Sequence, residues 1–170
     1  ANLILPDGSS VPMWGYSCGT AVGGSTATCV NTNPAAAWSP VVITVPTGQD
    51  LQINLTNNLL FGANKIPTSL VIVGQLGGGL GSTATTTPSP DHSNAQSVTW
   101  PIPDPGTTGT APGQGPRVQS FSTEVAAGAT TSLKWAAPRA GTYLLESGTH
   151  PSIQGPMGLY GVVVVTDAAT

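Results

Sequence analysis

Charge is what this chain has least of. Lys65, Arg117, Lys134 and Arg139 are its four fixed cations, set against seven carboxylates in 170 residues. With no basic stripe to displace the counterions of a phosphate backbone, nucleic acid is not an expected partner. Histidine is equally scarce, at His92 and His150, so chemistry that needs several imidazoles has little to draw on. Long apolar runs are missing too. The valines at 162–165 make only a four-residue strand-like patch, far short of the ~20 residues that a bilayer-crossing helix requires. No membrane span is expected.

Cysteine appears twice, as Cys18 and Cys29, with a Gly/Thr/Ser-rich stretch between them. A disulfide is the economical reading, since a metal pair would need partners and no Cys-x-x-Cys spacing is present. Such a crosslink would be worth on the order of 3 kcal/mol in the chain-entropy model, and it implies an oxidising compartment. The chain opens Ala1-Asn2-Leu3 without a basic, apolar leader. That start fits a mature product of the secreted, periplasmic or cell-surface kind, or an arbitrary boundary.

What is abundant is Gly, Pro, Ser, Thr and Asn, which punctuate short β-branched runs, while helical periodicity is nearly absent. Strands are expected at 2–5, 41–45, 50–57, 69–73, 118–125, 130–136, 141–146 and 159–166. Leu51, Ile53 and Leu55 alternate with Gln52, Asn54 and Thr56, the pattern of one face in a core and one in water. Pro46-Thr47-Gly48-Gln49 and Ala126-Ala127-Gly128-Ala129 have the character of hairpin turns. The expectation is all-β: a single domain over 1–170, a Greek-key sandwich or barrel with long irregular loops at about 6–40 and 74–116. Gly77-Gly78-Gly79-Leu80-Gly81 in the second loop reads as a hinge or cover, because no phosphate-loop Lys-Ser/Thr follows it.

Three segments carry a family resemblance. The first is Val45-Pro46-Thr47-Gly48-Gln49-Asp50-Leu51-Gln52-Ile53-Asn54-Leu55-Thr56-Asn57-Asn58-Leu59, the second Pro67-Thr68-Ser69-Leu70-Val71-Ile72-Val73-Gly74-Gln75. The third is Gly141-Thr142-Tyr143-Leu144-Leu145-Glu146-Ser147-Gly148 followed by Gly155-Pro156-Met157-Gly158-Leu159-Tyr160-Gly161. Together they resemble a cupredoxin domain of multicopper oxidases, in particular the first domain of large, manganese-oxidase-like members. The resemblance implies a cupredoxin-like fold and a secreted parent oxidoreductase with copper. It also implies histidines at four positions that here hold Val71, Val73, Glu146 and Gly148. Val71, Val73 and Gly148 offer no lone pair and Glu146 offers a carboxylate where an imidazole nitrogen is implied, so the four are lost-ligand positions. A mononuclear blue-copper site would need a Cys thiolate near the last strand, and no cysteine follows Cys29.

The remaining donors for an accidental copper or zinc site are His150, Glu146 and His92. The plainer reading has Glu146 and His150 bonding backbone in the closing loop. Met157 reads as a core plug, and Trp14, Trp38, Trp100 and Trp135 as core or loop anchors rather than ligand-stacking platforms. No Gly-x-Ser-x-Gly elbow or paired carboxylates mark a hydrolase. The chain by itself is therefore expected to hold no cofactor and no catalytic site. The expected role is structural, packing against neighbouring cupredoxin domains. The alternative is an extracellular building block that joins copies of itself through strand edges or strand exchange. A solitary copper-binding protein is the weaker third reading.

Overall fold

Val41, Ile43 and Val45 point inward while Val42, Thr44 and Pro46 lie half-buried on the other face, and a period of two recurs in most of the long strands of the computed structural model. The structure describes residues 1–31, 38–61, 63–81, 86–87, 117–118 and 123–167. In chain order the strands are β1 (Asn2–Ile4), β2 (Ser10–Pro12), β3 (Thr28–Asn31), β4 (Val41–Pro46), β5 (Leu51–Thr56), β6 (Leu60–Phe61), β7 (Asn64–Lys65), β8 (Val71–Ile72), β9 (Thr86–Thr87), β10 (Arg117–Val118), β11 (Thr130–Trp135), β12 (Gly141–Glu146) and β13 (Tyr160–Thr166). A 3-10 turn covers Gly78–Leu80, and one helical turn, α1, covers Pro151–Gln154.

The chain divides into two compact units, Ala84–Gln119 and the remainder. In the smaller unit β9 and β10 pair antiparallel, Thr87 opposite Arg117. The larger unit is an all-β sandwich. Its main sheet runs β3-β4-β13-β12-β8, with β4 and β13 parallel and the other pairs antiparallel. Opposite it, β5 and β11 pair antiparallel from Leu51↔Trp135 to Thr56↔Thr130.

Ile72, Leu145, Val163 and Val165 of the first sheet meet Leu51, Leu55, Leu133 and Trp135 of the second in one apolar cluster. That shared burial is what holds two sheets face to face. The chain changes sheet after β4, returns for β8, crosses again for β11 and comes back for β12 and β13. Such crossings are the Greek-key order expected of the sequence.

Details differ from the sequence reading in instructive ways. Pro46-Thr47-Gly48-Gln49 forms its turn, with Gly48 at φ 76° and the Gln49 amide donating to Pro46 O at 3.3 Å. It is a corner between sheets rather than a hairpin, because β4 pairs with β3 and β13 whereas β5 pairs with β11. The expected strand at 69–73 shrinks to β8, and that at 118–125 leaves β10 and an isolated bridge from Val125 to Thr68, with 119–122 outside the described residues. β2 and β3 lie inside the expected loop 6–40; β3 is exposed along most of its length, so it carries no alternating pattern to read. In the second expected loop, 82–85 and 88–116 lie outside the described residues.

The glycine run at 77–81 is a cover, as expected, and Trp135 explains its composition. Gly77 and Gly78 take φ of 124° and 56°, and a Cβ at Gly78 would run into the six-membered ring of the Trp135 indole. Only glycine permits both the dihedral and the approach. Among the described residues no helix is long and apolar enough to cross a membrane.

Candidate functional site

One end of the sandwich, where β8 begins and β12 finishes, is polar inside. Thr68, Ser147 and Gln154 are all fully buried there, at 2%, 0% and 1% exposure. Each arrives by a different route. Thr68 is held in an antiparallel bridge, its amide donating to Val125 O at 3.1 Å and its carbonyl accepting from Val125 N at 2.6 Å. Ser147 directly follows β12, its amide donating to Leu159 O at 3.0 Å. Gln154 closes α1, a turn that Pro151 favours at its start and that His150 enters from the left-handed region, φ 46° and ψ 58°.

The Gln154 amide organises the cluster. Its Nε2 donates to Pro67 O at 2.8 Å, and because a carbonyl only accepts, the amide orientation is fixed. Its Oε1 therefore faces the two hydroxyls, accepting from Ser147 Oγ at 2.6 Å and from Thr68 Oγ1 at 2.9 Å. Each hydroxyl has one proton, so with both directed at Oε1 the 3.1 Å contact between Thr68 and Ser147 is a close approach that carries no proton. Thr149 extends the chain of bonds: its amide donates to Ser147 Oγ at 3.2 Å, and its hydroxyl to the exposed Glu124 carboxylate at 2.9 Å. Asn57, 1% exposed, performs a similar service nearby, its Nδ2 donating to Ile66 O and Val125 O at 2.7 Å each.

Tyr16 leans on this cluster from the N-terminal segment, its hydroxyl donating to Ser69 O at 3.4 Å. Burial pushes its ionisation well above the ordinary phenol range, and the Glu146 charge adds to the effect. Beside it a cleft of roughly 170 Å³, lined among others by Tyr16, Asn57, Asn58, Leu59 and Thr68, reaches the network from outside.

Three of the four lost-ligand positions lie beside this polar plug in sequence or strand register. Val71 on β8 is buried and stands directly opposite Glu146 on β12. Gly148 is buried beside Ser147. Val73 differs, being 47% exposed. His150 is exposed at the entrance to α1, its carbonyl accepting the Ile153 and Gln154 amides at 2.9 Å, and His92 lies outside the described residues. Among the described residues no three His, Cys, Asp or Glu side chains converge as a metal ion would require. The residues do not fit a copper ion on chemical grounds: two valines and a glycine stand where donors would be, and the nearby interior groups are neutral hydroxyl and amide oxygens rather than imidazole or thiolate.

Ser147 is no better placed as a nucleophile. Its oxygen donates to an amide oxygen, which takes no proton, rather than to an imidazole or carboxylate. Met157 is half-buried and outside the apolar core cluster, contrary to the expectation of a core plug; its carbonyl accepts the Trp14 amide at 2.8 Å. Trp135 is a core residue, and Trp38 anchors a loop, donating to Gly158 O at 3.2 Å with its ring 4.9 Å from that of Tyr160. Trp14 is half-buried, and Trp100 lies outside the described residues.

Cys18 and Cys29 form the expected disulfide, 5.7 Å apart at Cα. The sequence reading missed Thr68, Ser147, Gln154 and Tyr16 as a unit. Ser147 sits between two lost-ligand positions, which was a signal; nothing adjacent to Gln154 announces its burial. No protein-family model and no curated protein matches this chain.

Proposed function

We propose that this chain is a copper-free cupredoxin-type domain of a secreted, multicopper-oxidase-like protein, with an architectural role beside neighbouring domains. The observation that supports it is the polar plug: Gln154, Ser147 and Thr68 satisfy one another amid Val71, Glu146 and Gly148, where the resemblance would put imidazoles. Neutral hydroxyl and amide oxygens bonded to one another are poor copper donors beside imidazole or thiolate. Copper loading of the isolated chain followed by dialysis and metal analysis tests this. Retention below about a tenth of an equivalent is expected, since tight copper sites need imidazole or thiolate donors. Stoichiometric, tightly held copper overturns the reading.

Self-assembly has one observation in its favour. On the outer face of the main sheet Val30, Val42, Val162 and Leu144 lie in one cross-strand row, and the amide of exposed Val73 donates to Leu144 O at 2.9 Å. Val30 and Leu144 are 55% and 45% exposed, and Glu146 is the one charged residue in β3, β4, β12 and β13. An apolar, charge-poor face is the composition of an interface centre. Sedimentation over a wide concentration range decides between the readings: a persistent monomer removes assembly, and growth suppressed by Leu144→Lys supports it.

A further inference from the structure

The segment 13–18 leaves β2 and crosses the polar end of the sandwich without joining a sheet. Its fastenings are few. The Trp14 amide donates to Met157 O at 2.8 Å, and the segment lies so close to Gly158 that a Cβ there would collide with Trp14 O. At its far end Asn31 of β3 takes the Cys18 amide on Oδ1 at 3.2 Å and gives Nδ2 to Tyr16 O at 3.4 Å. The disulfide ties the same point to Cys29, also on β3. Between these fastenings sits Tyr16, over Ser69 and the buried hydroxyls.

Beyond Cys18 the chain runs over the surface. Residues 19–26 are exposed, and Gly19, Gly23 and Gly24 have open space where a Cβ would be. Cys29 is itself exposed and Cys18 half-buried, so a small reductant has access to the bond. Once the covalent tie is gone, the segment keeps isolated hydrogen bonds, two of them long, and the partial burial of Tyr16 and Cys18, against the entropy of a longer free loop.

We propose that Cys18–Cys29 is a reducible latch on segment 13–18, and that a dithiol reductant, by opening it, lifts Tyr16 off the polar end and admits water to Thr68 and Ser147. The step is a two-electron exchange: the Sγ–Sγ bond becomes two thiols, taking up two protons, and the dithiol leaves as its cyclic disulfide. The sandwich stays folded beneath, because its apolar cluster is built from β4, β5, β8, β11, β12 and β13 together with Leu70 and Val125, and segment 13–18 packs against that cluster only through partly buried Tyr16 and Cys18.

Amide hydrogen exchange on the full chain, oxidised and then treated with dithiothreitol, tests this. The Trp14 and Cys18 amides should exchange at least ~10-fold faster after reduction while those of β12 and β13 keep their rates, the signature of a local opening. The paired variant Cys18→Ser/Cys29→Ser should reproduce the reduced pattern without reductant. Tyrosinate absorbance gives a second readout: in the reduced chain Tyr16 should ionise closer to the ordinary phenol range, at about pH 10. Unchanged exchange at Trp14 and Cys18 overturns the latch. So does loss of protection throughout β12 and β13, which would make the disulfide a staple of the whole fold, and so does a bond that the dithiol cannot cleave under native conditions.

Discussion

The two halves of the interior are built on opposite principles. Around Trp135 the contacts are apolar and without direction, and thirteen buried residues share them. At the other end Thr68, Ser147 and Gln154 depend on single protons aimed at single oxygens. Apolar packing tolerates exchange of shape so long as volume is kept, whereas a buried polar cluster loses its worth when one member is removed. A third set sharpens the contrast: Gln52, Asn54 and Ser132 make the same hydroxyl and amide bonds, at 2.7–2.9 Å for the shortest, on the water-facing side of β5 and β11.

The largest effect should come from the apolar side. Trp135→Ala removes the bulkiest fully buried side chain and leaves a cavity beneath Gly77 and Gly78. A loss of about 3–5 kcal/mol in denaturant unfolding is expected. A loss under about 1 kcal/mol would mean that the glycine cover collapses into the space, and that packing there is looser than the geometry implies.

Next is the polar end. Gln154→Leu orphans the Pro67 carbonyl and removes the acceptor both hydroxyls share, leaving them one another at 3.1 Å and the Thr149 carbonyl at 3.3 Å, and each buried orphan costs about 1–3 kcal/mol. Adding Thr68→Val and Ser147→Ala should restore part of that loss, because an apolar group in place of an orphan needs no partner. Urea denaturation of the single, double and triple variants measures the coupling. Additive losses, with coupling under about 0.5 kcal/mol, would show that the three residues do not act as a unit.

Tyr16 reports on the same end through pH. Its folded-state ionisation is raised, so the stability it confers is complete below the unfolded value of about 10 and declines as pH rises through the higher folded value. Burial is the main cause and the Glu146 charge the second. Thermal unfolding followed from neutral to strongly alkaline pH should therefore show a loss above about pH 10 that Tyr16→Phe reduces. Identical pH profiles for the two proteins would remove Tyr16 from the buried cluster.

Smallest is the exposed network. Ser132→Ala breaks bonds of the same length as those of Ser147, yet water replaces them, and a change within about 0.5 kcal/mol is expected. A loss equal to that of Ser147→Ala would refute the claim that burial, rather than bond count, separates the two networks.

Much of the fold was legible because the long strands are written in period two. The strands around Val41, Leu51, Thr130, Gly141 and Tyr160 lie within a residue or two of their expected bounds. The Pro46–Gln49 turn was legible as a turn and not as a corner, since local residues specify dihedrals but not which sheet the next strand joins. β8 fell short of expectation because Ser69 and Leu70 are buried without continuing the ladder, and exposed β3 left no pattern at all.

The chain's own letters settled the class of fold and the disulfide, both of which depend on spacing or on which functional groups exist. Where Gln154 goes, and that it meets Thr68 from 86 positions away, was decided only in three dimensions. An amide is neutral and polar wherever it stands in a sequence; whether it faces water or anchors two hydroxyls depends on which segments pack around it.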